Sequence, residues 1–124
     1  MDYLILDTSS MIFGFSNNSN VFEVAAREFP ACRMLVSKGI VNELDAMSKN
    51  MGKKGVYARI ALMELKAKKI DIDNINEADH WILDRARRHR NSVVITNDTV
   101  LARKLSGSGI KVLKLSKSGM LRAA

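Results

Sequence analysis

A chain of 124 residues, 47% hydrophobic, has the size of one compact domain with enough apolar material for a core. Its single cysteine, Cys32, excludes an internal disulfide framework, and His80 and His89 stand in no zinc-type spacing, so metal chemistry would have to run on oxygen ligands. The formal net charge of +7 suits a polyanionic partner, or equally a well-solvated basic surface.

The opening MDYLILDTSS lacks the basic start and long apolar stretch of a secretory signal, and no run approaches the roughly 18 apolar residues of a membrane span. A cytoplasmic location and no membrane partner are therefore expected. YLIL (3–6) reads as a central strand ending at Asp7, after which DTSS turns the chain towards a helix near 20–29, with Asn18 or Ser19 as cap and Pro30 closing it. RMLVS (33–37) reads as a second strand; Ile40, Leu44 and Met47 then recur at helical spacing, with Glu43 inside that helix.

A loose Gly- and Lys-containing loop enters a further helix, amphipathic through Val56, Ile60, Met63 and Leu65. IDIDNI (70–75) suggests an edge strand, and NEADHWILDRARRHR a helix with acids in its first turn and cations in its last, as the helix dipole favours. SVVIT is a β-branched strand ending at Asn97 and Asp98, TVLARKL a helix stopped by Gly107-Ser108-Gly109, and IKVLKL a last strand. Strands alternating with helices predict a single α/β domain over 1–124: three α/β/α layers around a central parallel sheet of four to five strands, with 116–124 as a loosely held tail.

Asp7, Glu43, Asp79 and Asp98 stand where hydrophobic runs stop or helices start. In an open parallel sheet the ligand crevice lies outside the carboxyl ends of the strands, which is where Asp7 and Asp98 fall. If the first and fourth strands are neighbours, these two lie side by side, and Glu43 and Asp79 can reach in from flanking helices. Carboxylates crowded together either hold protons or draw in a divalent cation, and an all-oxygen set favours Mg²⁺ or Mn²⁺. Each acid also has a plainer role: turn former for Asp7, solvated helix residue for Glu43, dipole partner for Asp79, helix cap for Asp98.

With LILDTSSMI, VNELD, EADHWIL and VVITND in this order over residues 1 to 115, the chain resembles the PIN-domain nucleases, the fold shared by VapC-type toxins and ribosomal RNA maturation nucleases. The resemblance implies metal-dependent endoribonuclease activity with Asp7, Glu43, Asp79 and Asp98 as the Mg²⁺- or Mn²⁺-binding set. It places Ser9 and Thr96 at hydroxyl positions supporting the acids. It also implies a homodimer, and as further partners an antitoxin-like protein or a pre-ribosomal one. The third motif departs from the common Ala-Asp-Asp, reading Ala78-Asp79-His80, and His80 is expected on the surface rather than in the site.

An RNA, expected to be single-stranded where it is cut, would bring one phosphate to the metal while its neighbours meet Lys or Arg. The candidates are Lys49, Lys53, Lys54 and Arg59, together with Arg103 and Lys104 after Asp98. Arg85, Arg87, Arg88 and Arg90 lie at the helix end remote from Asp79 and read as a solvated or partner-facing run, and Trp81 reads as packed. A haloacid-dehalogenase-like phosphatase would want an acid where Ser9 stands, and a receiver domain a lysine after its last strand. The alternative to a nuclease is a non-catalytic PIN-like module binding RNA or protein.

Overall fold

In a computed structural model, which describes residues 3–124, the apolar run at the amino end is the strand β1 (Tyr3–Leu6), with Leu4, Ile5 and Leu6 fully buried. A strand with no exposed face of its own must be covered on both sides, as in sheets built from parallel crossovers. The remaining elements supply that cover in alternation: α1 (Thr8–Ser16), α2 (Val21–Glu28), β2 (Arg33–Ser37), α3 (Lys38–Ser48), α4 (Lys53–Ala67), β3 (Asp71–Asp73), α5 (Asp79–Arg88), β4 (Val93–Ile95), α6 (Thr99–Gly107), β5 (Lys111–Leu115) and β6 (Leu121–Ala123). The sheet order is β3-β2-β1-β4-β5-β6, parallel except for the last pair.

Strands β1 and β4 are adjacent, with Ile5 paired to Val94 and Leu6 to Ile95. Successive strands run from β1 to one side through β2 and β3, and from β4 to the other, so the switch point lies between β1 and β4. A backbone bond from the Asp7 amide to the Ile95 carbonyl (3.1 Å) extends the pairing to the point where the side chains of both strand ends diverge into a crevice.

Four details differ from the sequence expectation. The sheet has six strands rather than four or five. The sixth forms within 116–124, which is no loose tail: Ser116–Gly119 turn the chain, Gly119 takes φ +82, and Leu121–Ala123 pair antiparallel with β5. TSSMIFGFS is a helix, α1, where only a turn was expected; its Gly14 packs tightly, since a Cβ there would lie 3.0 Å from both Leu115 Cδ2 and the Ser19 carbonyl oxygen. The cap of α2 is Asn20, whose Oδ1 accepts from the amides of Phe22 and Glu23, not Asn18 or Ser19.

The fourth difference concerns α4. Its inward face carries Gly55, Ala58, Ala61 and Leu65, while Val56, Ile60 and Met63 point to solvent, 43%, 37% and 69% exposed. Small side chains let α4 pack against α1 and α3, and Gly55 also makes room for the loop before the helix, where a Cβ would fall 1.9 Å from the Asn50 carbonyl oxygen. Apolar size alone therefore indicated the wrong face.

Candidate active site

Asp7 is only 4% exposed, and it leaves β1 directly into the crevice at the switch point. Its Oδ2 accepts from Ser9 Oγ at 2.6 Å and from Thr96 Oγ1 at 2.7 Å. Each hydroxyl oxygen in turn accepts a backbone amide, Ser9 from Asn97 (3.0 Å) and Thr96 from Asp98 (3.1 Å). Amide to hydroxyl to carboxylate, the turn after β4 is thus tied to the end of β1. Both hydroxyl protons are committed to Asp7, so the carboxylate is held in one orientation.

Burial pushes the Asp7 carboxyl above its ordinary value against the hydrogen bonds of Ser9 and Thr96, and repulsion from Asp79 adds to the rise. Glu43 is raised as well, by burial first and then by the charge of Asp7, with Thr8 opposing and Asp79 adding. Glu43 is exposed yet lines the crevice, and its Oε1 accepts from Thr8 Oγ1 at 3.3 Å. Acids from the end of β1, from α3 and from α5 are thus close enough for Asp79 to act on Asp7, and for both to act on Glu43.

Asp98 has a double position. Its Oδ1 caps α6 by accepting from the amides of Val100 (2.9 Å) and Leu101 (3.1 Å), as the plainer reading anticipated. The residue also lines the same 580 Å³ cleft as Asp7, Glu43 and Asp79, and its Oδ2 is not used in the cap.

The reach of Glu43 and Asp79 depends on a clamp between α3 and the segment before α5. Ser37, fully buried at the end of β2, caps α3 through the Ile40 amide (3.1 Å) and donates its proton to the Glu77 carbonyl (2.6 Å). The Gly39 amide bonds to the Ile75 carbonyl (2.9 Å), and a Cβ on Gly39 would stand 2.4 Å from the Glu77 carbonyl oxygen. Asn97 fixes the other wall with a pair of bonds, Nδ2 to the Leu115 carbonyl (2.9 Å) and Oδ1 from its amide (3.2 Å). Sequence reasoning passed over Thr8, Ser37, Gly39 and Asn97. A Ser one residue before a helical run carries a capping signal, but the partners of the other three are distant in sequence.

Of the expected basic contacts, Lys54 lines the cleft; Lys49, Lys53, Arg59, Arg103 and Lys104 do not. Arg59 donates to the Ser48 carbonyl and so ties α4 to the end of α3, while Arg103 lines a neighbouring cavity. His80 is exposed and stands outside the cleft lining. Trp81 is packed, 3% exposed, its Nε1 donating to Asp73 Oδ2 at 2.9 Å. The remote arginines are engaged locally: Arg85 sits over the Tyr3 ring, Arg88 pairs with Asp84, and Arg87 and Arg90 bond to Ser108.

Among the described residues no three acid, histidine or cysteine side chains are arranged to ligate one ion directly. The donors around the cleft are carboxylates and hydroxyls, a set that fits a hard divalent cation holding part of its own water shell.

A family profile described as a PIN like domain matches residues 4–118. Ribonuclease VapC4 of Methanocaldococcus jannaschii is 28% identical over 114 residues, covering 89% of this chain and 87% of that one. The PIN domain endonuclease Utp24 superposes with a TM-score of 0.77 at 23% identity, over 98% of this chain and 92% of Utp24. A domain of a functionally unknown protein from M. jannaschii does so with 0.61 at 19% identity, over 94% and 92%. Fold, strand order and a profile spanning nearly the whole sequence agree: the chain belongs to the PIN-like domain family.

Proposed function

We propose that this protein is a metal-dependent endoribonuclease whose Asp7, Glu43, Asp79 and Asp98 hold Mg²⁺ or Mn²⁺ at the switch point of the sheet. The observation that carries this is the convergence of Asp7, Glu43, Asp79 and Asp98 on one cleft, where burial first and neighbouring acids next raise Asp7 and Glu43. Like charges gathered without a compensating cation cost stability, so their persistence supports a cationic ligand. The similarity to a protein named as a ribonuclease supports RNA as the substrate.

When bound, a divalent ion supplies an activated water and stabilises charge on the departing oxygen. The chain's own residues do the rest. Ser9 and Thr96 hold Asp7 in one orientation and favour its ionised form. Thr8 steadies Glu43, and Asp98 presents one oxygen while the other fixes the start of α6. Lys54, on the cleft wall, offers a positive charge to a phosphate beside the acids. Protons compete with metal for Asp7 and Glu43, so activity falls on acidification already above the ordinary carboxylate range.

The test is cleavage of mixed-sequence single-stranded RNA by purified protein with Mg²⁺, with Mn²⁺ and with chelator, beside Asp7→Asn and Glu43→Gln prepared identically. Metal-dependent cutting by the native protein, lost in both variants, is expected. Variants as active as the native protein would refute the mechanism. RNA binding without cutting in any metal would favour a non-catalytic RNA-binding module instead.

A further inference from the structure

Beyond the Asn97 and Asp98 wall of the acid cleft lies a second cavity of 310 Å³, sharing those two residues and otherwise formed by Thr96, α6, Lys114 of β5 and Ala124. That volume is at the lower end of ligand-sized pockets, roughly 300–1,000 Å³. Thr99, Ser106, Arg103 and Lys114 contribute to its lining. Asp98 is the one acidic side chain on its wall among the described residues, and its Oδ1 is occupied by the amides of Val100 and Leu101.

A separate feature of the sheet points to what this cavity takes. Lys114 stands directly opposite Arg122 in the antiparallel pairing of β5 with β6. Direct partners across antiparallel strands project from the same face, and like charges in that relation are destabilising. Neither cation, nor Arg103, forms an ion pair with a described acid, and all three are exposed. Two uncompensated cations on the lining of one concavity, with a third opposite Lys114 on the neighbouring strand, fit a polyvalent anion.

We propose that this cavity is a phosphate subsite: a single-stranded RNA with one phosphate at the acid cleft crosses the Asn97-Asp98 ridge and places a flanking phosphate between Arg103 and Lys114, with Arg122 adding its charge from beside Lys114 on β6. This rests on the nuclease reading above and adds a direction to it. Lys54 stands on the acid cleft, and Arg103 and Lys114 line the cavity on the far side of the ridge, so the strand is gripped on both sides of the acids. Thr99 and Ser106 offer hydroxyls to the same phosphate oxygens.

The test is fluorescence anisotropy of a short labelled single-stranded RNA of mixed sequence, with Ca²⁺ replacing Mg²⁺ so that binding is read without turnover, over a range of salt. Arg103→Ala, Lys114→Ala and Arg122→Ala are each expected to weaken binding roughly 3- to 10-fold and to lower the slope of log affinity against log salt by about 1. Lys111→Ala is the control, since it removes a charge from the same strand, three residues away and on the other face. Full affinity and slope in the three variants, or an equal loss in Lys111→Ala, would overturn the subsite while leaving the nuclease reading to the cleavage assay. A native protein that binds no RNA would overturn both.

Discussion

Replacing Gly39 by alanine probes the clamp that sets Asp79 against Glu43. A Cβ at this position would meet the Glu77 backbone at 2.4 Å from its oxygen, 2.5 Å from its carbon and 2.6 Å from its nitrogen. Ordinary carbon contacts begin near ~3.5 Å, so the segment before α5 has to move by about 1 Å. None of the obstructing atoms belongs to a side chain that could swing away. The shift strains the bonds from the Gly39 amide to Ile75 and from Ser37 Oγ to Glu77. Two such bonds are worth about 1 kcal/mol each, and overpacking costs about 1–3 kcal/mol. Against this, alanine gains up to about 1 kcal/mol over glycine in helical backbone.

The net expectation is a destabilisation of about 2 kcal/mol. Urea unfolding followed by circular dichroism should show a midpoint lowered by roughly 1 M, given an m-value near ~2 kcal/mol/M for a protein of this size. RNA cleavage should fall by about 10- to 100-fold even where the protein is fully folded, because Asp79 follows Glu77 by two residues and an ångström of misplacement is costly to catalysis. Gly107→Ala is the internal control: it also lies in a helix, but nothing stands within 4 Å of its Cβ position, so it should be neutral or stabilising. A Gly39→Ala protein as stable as the native one would refute the clamp.

Three other outcomes are expected. Asp7→Asn should melt higher than the native protein at neutral pH while losing activity. Burial raises the Asp7 carboxyl, so the native protein is free of that cost below the ordinary carboxylate range and bears it in full above the raised value; the difference between the two melts should therefore shrink on acidification, and a constant difference would contradict it. Asn97→Ala should cost about 1–2 kcal/mol and speed amide exchange at Leu115, because both bonds to that backbone disappear; unchanged exchange by NMR would argue against the clamp. On α4, Ile60→Lys and Met63→Lys should alter stability by no more than about 0.5 kcal/mol, whereas Ala61→Leu should cost about 1–3 kcal/mol in the same urea assay.

Much of the sheet was legible because its buried strands are short apolar runs: YLIL, RMLVS and VVI occupy their expected places, while the adjacency of the first and fourth, a condition in the sequence reading, is supplied by the structure. The gathering of the acids was legible for the same reason, since strand ends and helix starts locate them without any contact being known. What stayed hidden depends on contacts distant in sequence. The helix TSSMIFGFS has serines, aromatics and a glycine of weak helical preference, and it forms because Met11 is buried in the core and Gly14 fits against Leu115. The inward face of α4 was misjudged because close packing selects small residues there, which carry little hydropathic signal. Leu121–Ala123 has no strand-like alternation of its own; a turn with a positive-φ glycine brings it onto β5.

That last strand bears on how the protein behaves at concentration. An open sheet has two edges, each a row of unpaired backbone groups able to recruit another chain. Here one edge is β3, three residues long with Asp71 and Asp73, the former paired to Arg33. The other is β6, also three residues, with Arg122 at its centre. Both are too short and too charged to template strand addition well. Beneath β6 lies the five-residue KVLKL, with Val112 and Leu115 buried. A truncation removing Leu121–Ala123 would leave this longer apolar edge bare, open to edge-to-edge pairing and precipitation.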